Sequence, residues 1–229
     1  MGVIVQAVVV PQPPLIVPAL SPGANAELEA LRAACRAAVR RLAAVTREWV
    51  AVGAGEAERV VEPATSGSFR GYGADVPVAL SSGPTTPAAL PLPALVAGWL
   101  REQADADSVR VHLIDGDPGE CAGLGKHLAD GDRTGLLVLG DGSNRHGPKS
   151  PGSEDERAPG FDDAVARALA AADTAALRAL DPVLAAELGA GGRAPWQVLA
   201  GTGDDWRAEL LYSAAPFGVG YHVAVWERG

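Results

Sequence analysis

The chain has 229 residues, a net charge of −9, four histidines and two cysteines. That length is ample for a buried core and suits one sizeable α/β domain or two small ones. With 48% hydrophobic and 21% charged residues the chain is not disordered, and its acidic balance without a basic run excludes a nucleic-acid-binding surface. Two cysteines cannot build a disulfide framework or a four-thiolate zinc site, so Cys35 and Cys121 read as small core residues. Aromatics at 5% leave Ala, Val and Leu to fill the core. The 17 Arg against 2 Lys, with abundant Ala and Gly, reflect a GC-rich genome. The first twenty residues are apolar but lack a basic start and carry Pro11, Pro13, Pro14 and Pro18. They read as neither a signal peptide nor a spanning helix, so a soluble cytoplasmic protein with no membrane partner is expected.

Residues 3–10 form a β-branched run with both faces apolar, as in a strand covered on both sides. Asn25 or Ser21 caps a helix over 27–46, whose apolar face is Leu28, Leu31, Cys35, Val39 and Leu42. Residues 49–52 give a second strand, and the unit reads as a parallel crossover. Residues 56–73 read as a loop and 76–80 as a strand placed at an edge by Pro77. Turn material at 81–87 precedes a helix over 90–103, then a strand at 109–114, a helix at 119–129 and a strand at 135–139. The polar stretch 141–160 is long enough to be functional or disordered. Helices are expected over 161–172 and 174–188, the second interrupted at Asp181-Pro182, and another over 194–200. Strands at 207–212 and 219–226 close a hairpin around Ala215-Pro216-Phe217-Gly218. The whole reads as a single α/β domain over 1–229, with a mostly parallel central sheet flanked by helices.

In such sheets ligands bind beyond the carboxyl ends of the strands. Those ends are Pro11-Gln12-Pro13-Pro14, Gly53-Ala54-Gly55-Glu56, Asp115-Gly116-Asp117 and Gly140-Asp141-Gly142-Ser143-Asn144-Arg145-His146. Two of them carry a resemblance. The chain resembles class III extradiol ring-cleavage dioxygenases of the B-subunit type, in particular short actinobacterial relatives. Where that family has Pro-His-Pro-Pro-Leu, this chain has Pro11-Gln12-Pro13-Pro14-Leu15. Where relatives read Gly-Asp-x-Ser-His-Arg, it has Gly140-Asp141-Gly142-Ser143-Asn144-Arg145. The segments from Gly192 to Gly201 and from Ala215 to Tyr221 resemble the actinobacterial subgroup.

The resemblance implies the family's fold and a site for Fe(II) held by two histidines and a carboxylate, with a further histidine as acid/base. The first ligand position is Gln12, and the acid/base position is Asn144. The second ligand is expected near Glu56, where no histidine occurs between residues 3 and 110, and the carboxylate near Tyr221 and His222, with Glu227 further along. An amide is a poor Fe(II) ligand, and Asn exchanges no proton near neutral pH. The expectation is therefore a dioxygenase-like scaffold that has lost its iron site, with no confidently assigned cofactor or metal. Its ligand would be a small aromatic or other small molecule in a pocket lined by Gln12, Glu56, Asp141, Ser143, Asn144, Tyr221 and His222.

Two other readings stay open. One is a diverged metal-dependent oxidoreductase that rebuilt an Fe(II) or other divalent site from Glu56, His146 or His222. The other is a structural subunit of a homo-oligomer. His146 is either a displaced acid/base or a solvated loop residue, while strand alternation turns either Tyr221 or His222 outward. His112 reads as a packing residue in a strand and His127 as exposed. Asp115, Asp117 and Asp141 are either turn residues or ligands for a hard cation. Ser143 has neither a P-loop nor a nucleophile-elbow frame, and Trp196 and Trp206 read as packing residues.

Overall fold

A computed structural model describes residues 4–23, 25–55 and 59–229. Its centre is a seven-stranded sheet. The strands are β1 (Ile4–Val10), β2 (Glu48–Ala54), β3 (Arg59–Val61), β7 (Ser108–Ile114), β8 (Thr134–Leu139), β9 (Trp206–Ala214) and β10 (Tyr221–Arg228), in the order β3-β7-β2-β8-β1-β10-β9. The four middle strands β7, β2, β8 and β1 pair in parallel, whereas β3, β10 and β9 join antiparallel. The sheet is thus parallel at its centre and mixed at both sides. β1 and β2 are parallel as expected but not neighbours, because β8 lies between them.

Helices cover both faces. On one face α1 (Ala26–Val45) and α2 (Leu92–Gln103) bury Leu31, Val39, Leu42, Leu95 and Leu100 against Val8, Val10, Ala51 and Val111. On the other lie α3 (Pro118–Ala129), α4 (Ala158–Ala171), α5 (Thr174–Arg178), α6 (Pro182–Glu187) and α7 (Arg193–Gly201). They pack Val165, Leu169, Trp196 and Val198 on Val9, Val52, Leu136 and Val138. This two-sided cover explains why the inner strands are continuous apolar runs rather than alternating ones. Asn25 caps α1 by accepting from the Leu28 N–H at 3.1 Å. Glycine lets α3 and α7 cross closely: a Cβ on Gly125 would lie 2.1 Å from the Val198 carbonyl, and one on Gly201 2.5 Å from that of Ala122. Among the described residues no helix is long and apolar enough to cross a membrane.

Residues 56–73, read as a loop, hold short strands. β3 extends the main sheet, and β4 (Thr65–Ser68) is the middle strand of a second sheet between β5 (Pro77–Ala79) and β6 (Thr86–Pro87). β5 is an edge strand, in keeping with Pro77. The interruption at Asp181-Pro182 separates α5 from α6, and Asp181 caps α6 through the Val183 N–H. Cys35 and Cys121 are free and buried, and the Cys35 thiol is pushed up to about 12 by that burial.

Candidate functional site

The carboxyl ends of β1, β2, β7 and β8 share one rim of the sheet, and the loop leaving β8 divides that rim into two halves. On the α1/α2 half, the chain leaving β1 turns through two short 3₁₀ segments, Pro14–Ile16 and Pro18–Leu20. Buried Arg32 of α1 fixes this turn by donating to the carbonyls of Ile16 (3.1 Å) and Leu15 (2.7 Å). Gln12 is thereby held at the rim. Its main-chain N–H donates to Asp141 Oδ1 at 2.9 Å. Its side-chain Oε1 is buried without a hydrogen-bond partner among the described residues. That oxygen lies 3.5 Å from where a Cβ on Gly53 would stand, and the same Cβ would be 2.5 Å from Pro93 Cβ. The side chain therefore reaches over the end of β2 toward the start of α2, a space open only because residue 53 is glycine.

Asp141 is partly exposed as a residue, yet its carboxyl group is densely enclosed. Burial pushes it up to about 7, and the Gln12 N–H is the single group drawing it back. Tyr221 lies on the same half. Its hydroxyl is raised by burial first, then by the negative charge of Asp141 and by Tyr212.

The other half is built around a residue the sequence reading passed over. Asp162, at the start of the second turn of α4, is 5% exposed, and its carboxylate collects four contacts. The Ser143 N–H lies 3.2 and 3.1 Å from its two oxygens, His146 Nε2 is 2.5 Å from Oδ2, and His222 Nε2 is 3.3 Å from Oδ1. The second nitrogen of His222, Nδ1, is 3.0 Å from the Ser213 hydroxyl. Two glycines admit the carboxylate. A Cβ on Gly142 would stand 2.2 Å from Oδ1, and one on Gly220 2.0 Å from Oδ2. The same glycines are clamped by reciprocal main-chain bonds, Gly142 N–H to Gly220 C=O at 2.7 Å and Gly220 N–H to Ser143 C=O at 2.8 Å. Below them, the Trp196 ring meets His222 edge-on with centroids 6.0 Å apart.

The sequence candidates therefore separate. Gln12, Asp141 and Tyr221 belong to one half. Ser143, His146 and His222 belong to the other, joined through Asp162. Asn144 packs against Gly152 of its own loop and Gly189 after α6: a Cβ on either would fall within 2.4 Å of its Oδ1. The Asn144 N–H binds the Leu188 carbonyl. The Ser143 hydroxyl also donates to Leu188, at 2.9 Å, and is structural. Glu56 lies outside the described residues.

Both Tyr221 and His222 are buried, where alternation was expected to turn one outward. The reason is that β10 is an inner strand covered on both faces, so neither side meets solvent. His146 is not a solvated loop residue either, since its side chain is 15% exposed and paired with Asp162. Asp117 forms a capping box with Glu120 at the start of α3, and Asp115 lines a cavity of about 310 Å³ with Ala54, Ala185, Gly189 and Arg193. Among the described residues no three His, Cys, Asp or Glu side chains are grouped to hold a metal ion. The donor set does not fit the Fe(II) that the resemblance implies. Gln12 offers an amide oxygen, the Nε2 atoms of His146 and His222 are directed at Asp162, and His222 Nδ1 faces the Ser213 hydroxyl.

Two signals could have found the missed residues. Asp162 occupies the helical stripe of Val165 and Leu169, so a charge sat on the face that had to be buried. Centring the hairpin between Phe217 and Gly218 pairs residue 213 with residue 222, the register observed.

No family model matches the chain, and no curated protein matches it. Among solved structures it is similar to the uncharacterized protein JW3007 from Escherichia coli K12. The TM-score is 0.55 at 15% identity, over 97% of this chain and 99% of that one. A likeness at that identity concerns the fold alone: a mixed α/β sheet flanked by helices.

Proposed function

We propose that the chain is a class III extradiol dioxygenase-like protein that does not cleave rings and instead binds a small molecule at the rim between β1, β2 and α2. The observation carrying this reading is the Gln12 side chain, whose Oε1 is buried and unpartnered among the described residues at the position of the family's first iron ligand. A buried acceptor without a donor costs about 1–3 kcal/mol, which a bound hydroxyl or amine would relieve. Asp141, held near 7, supplies a second group able to accept or donate beside it. The occupant is then a compact, largely apolar molecule presenting a hydroxyl, of which a phenol or catechol is the simplest form.

The test uses protein purified anaerobically and supplied with Fe(II), with metal content, oxygen uptake and catechol binding measured together. The expected outcome is catechol binding that raises the melting temperature, no oxygen uptake, and loss of binding in Gln12→Leu. Stoichiometric iron with turnover of catechol overturns the reading in favour of a rebuilt oxidoreductase site. Absence of catechol binding in the folded protein overturns the ligand class.

A further inference from the structure

We infer that Ser213 is an acyl-transfer nucleophile, with His222 as its base and Asp162 as the residue that orients that base, on the opposite half of the rim from Gln12. The inference stands independently of the small-molecule site.

The assignment of protons follows from the contacts. Asp162 is approached by the Ser143 N–H, by His146 and by His222, and an ionised carboxylate offers these groups only acceptors. Each histidine therefore places N–H on its Nε2. That leaves His222 Nδ1 as a bare acceptor, and the group facing it at 3.0 Å is the Ser213 hydroxyl. Hydroxyl, imidazole and carboxylate stand in the order and reach that define an activated serine: nucleophile to base, base to orienting acid. The ring nitrogens are used in the opposite sense from the familiar triad, which changes the tautomer and not the proton path. His222 is 1% exposed and wedged against Trp196, so it cannot turn away from the serine. His146 holds the second oxygen of Asp162, fixing the carboxylate from the far side.

Access is what separates this arrangement from a buried packing network. Ser213 is exposed, on the edge strand β9, while the base and acid behind it are buried. An edge strand also turns alternate main-chain N–H groups outward, where they can donate to a developing oxyanion. The substrate class is an exposed carboxylic ester, in keeping with a hydroxyl that stands open at the sheet edge.

The step balances without any further reagent. Ser213 Oγ bonds to the ester carbonyl carbon as its proton passes to His222 Nδ1. The carbon–alkoxy bond then breaks, and the imidazolium returns that proton to the leaving alkoxide. Water, giving its proton to the same nitrogen, bonds to the acyl carbon; the C–Oγ bond then breaks, the imidazolium returns that proton to Ser213 Oγ, and the carboxylic acid leaves.

The full-length protein is treated with a fluorophosphonate probe and assayed with p-nitrophenyl acetate. Labelling located on the Ser213 peptide is expected, lost in Ser213→Ala, with ester turnover reduced to the uncatalysed rate. Ser213 is exposed at an edge, so this variant keeps its circular dichroism spectrum and melting temperature. Asp162→Asn is expected to lower the labelling rate about 10²–10⁴-fold. It should also move the pH midpoint of labelling, a shift that a merely structural role for Asp162 would not produce. No labelling of the folded wild-type protein, or equal labelling in Ser213→Ala, overturns the assignment. Wild-type rate and pH midpoint in a folded Asp162→Asn protein remove Asp162 from it.

Discussion

Among the described residues, the carboxylates of Asp141 and Asp162 at the rim differ in how many donors reach them. Asp141 has one, the Gln12 N–H, and its burial drives it up to about 7. Asp162 has three donor groups, the Ser143 N–H and the two Nε2 atoms of His146 and His222. At Asp141 burial strips away solvent and a single donor replaces it, which is why its carboxyl is pushed up. The lesson is that a carboxylate's depth in this fold does not set its role. One half of the rim is left short of partners and is suited to receiving a ligand. On the other, the Asp162 carboxylate is met by donors of its own chain and is suited to holding a histidine in place.

The contrast can be broken most severely at Gly220. Gly220→Ala drives a methyl group into the Asp162 carboxylate and is expected to cost about 4–5 kcal/mol, read from denaturant unfolding. Asp141 gives the next largest effect. Its folded pKa lies above the unfolded value of about 3.9, so the folded state binds more protons between pH 4 and 7. Its contribution is thus complete in acid and is lost as pH rises toward 7 and beyond. Asp141→Asn keeps an acceptor for the Gln12 N–H and removes this loss. At pH 8 it is expected to be more stable than wild type by up to about 4 kcal/mol, and at pH 4 equal to it. The partial exposure of Asp141 makes that figure a ceiling, and a pH series of melting curves measures it.

Smaller effects sharpen the same comparison. Gln12→Met removes an unpartnered buried acceptor and should stabilise the free protein by about 1 kcal/mol while abolishing catechol binding. A loss of stability instead would place a donor on that oxygen. Asn25→Ala lies away from both halves and should cost about 1 kcal/mol through its cap alone, leaving labelling of Ser213 and binding of catechol unchanged.

Much of the framework was legible because apolar period and punctuation agree locally. The run from Ile4 to Val10 becomes β1, and the stripe of Leu28, Leu31, Cys35, Val39 and Leu42 becomes the buried face of α1. The strand pairs were less accessible, since nothing in the β1–α1–β2 segment reveals that β8 will lie between its strands. The second sheet was hidden by its composition: Ser, Gly and Pro dominate β4 to β6, and two to four residues leave no alternation to read. At the site, His146 and His222 stood out by residue type, yet what unites them is Asp162. Its neighbour Asp163 is exposed, and only helical phase tells the two apart.

The free side of β9 bears on whether a strand from another copy can add to the sheet. A nine-residue edge is long enough to recruit a strand from another copy and begin a fibre. Here Arg207 and Glu209 project from it, Arg41 ties Glu209 back toward Glu227, and the pairing with β10 slips between Val223 and Ala224. Charge and a broken register together deny an incoming chain the flat, apolar template it needs. The same edge can therefore leave a serine open to solvent without inviting polymerisation.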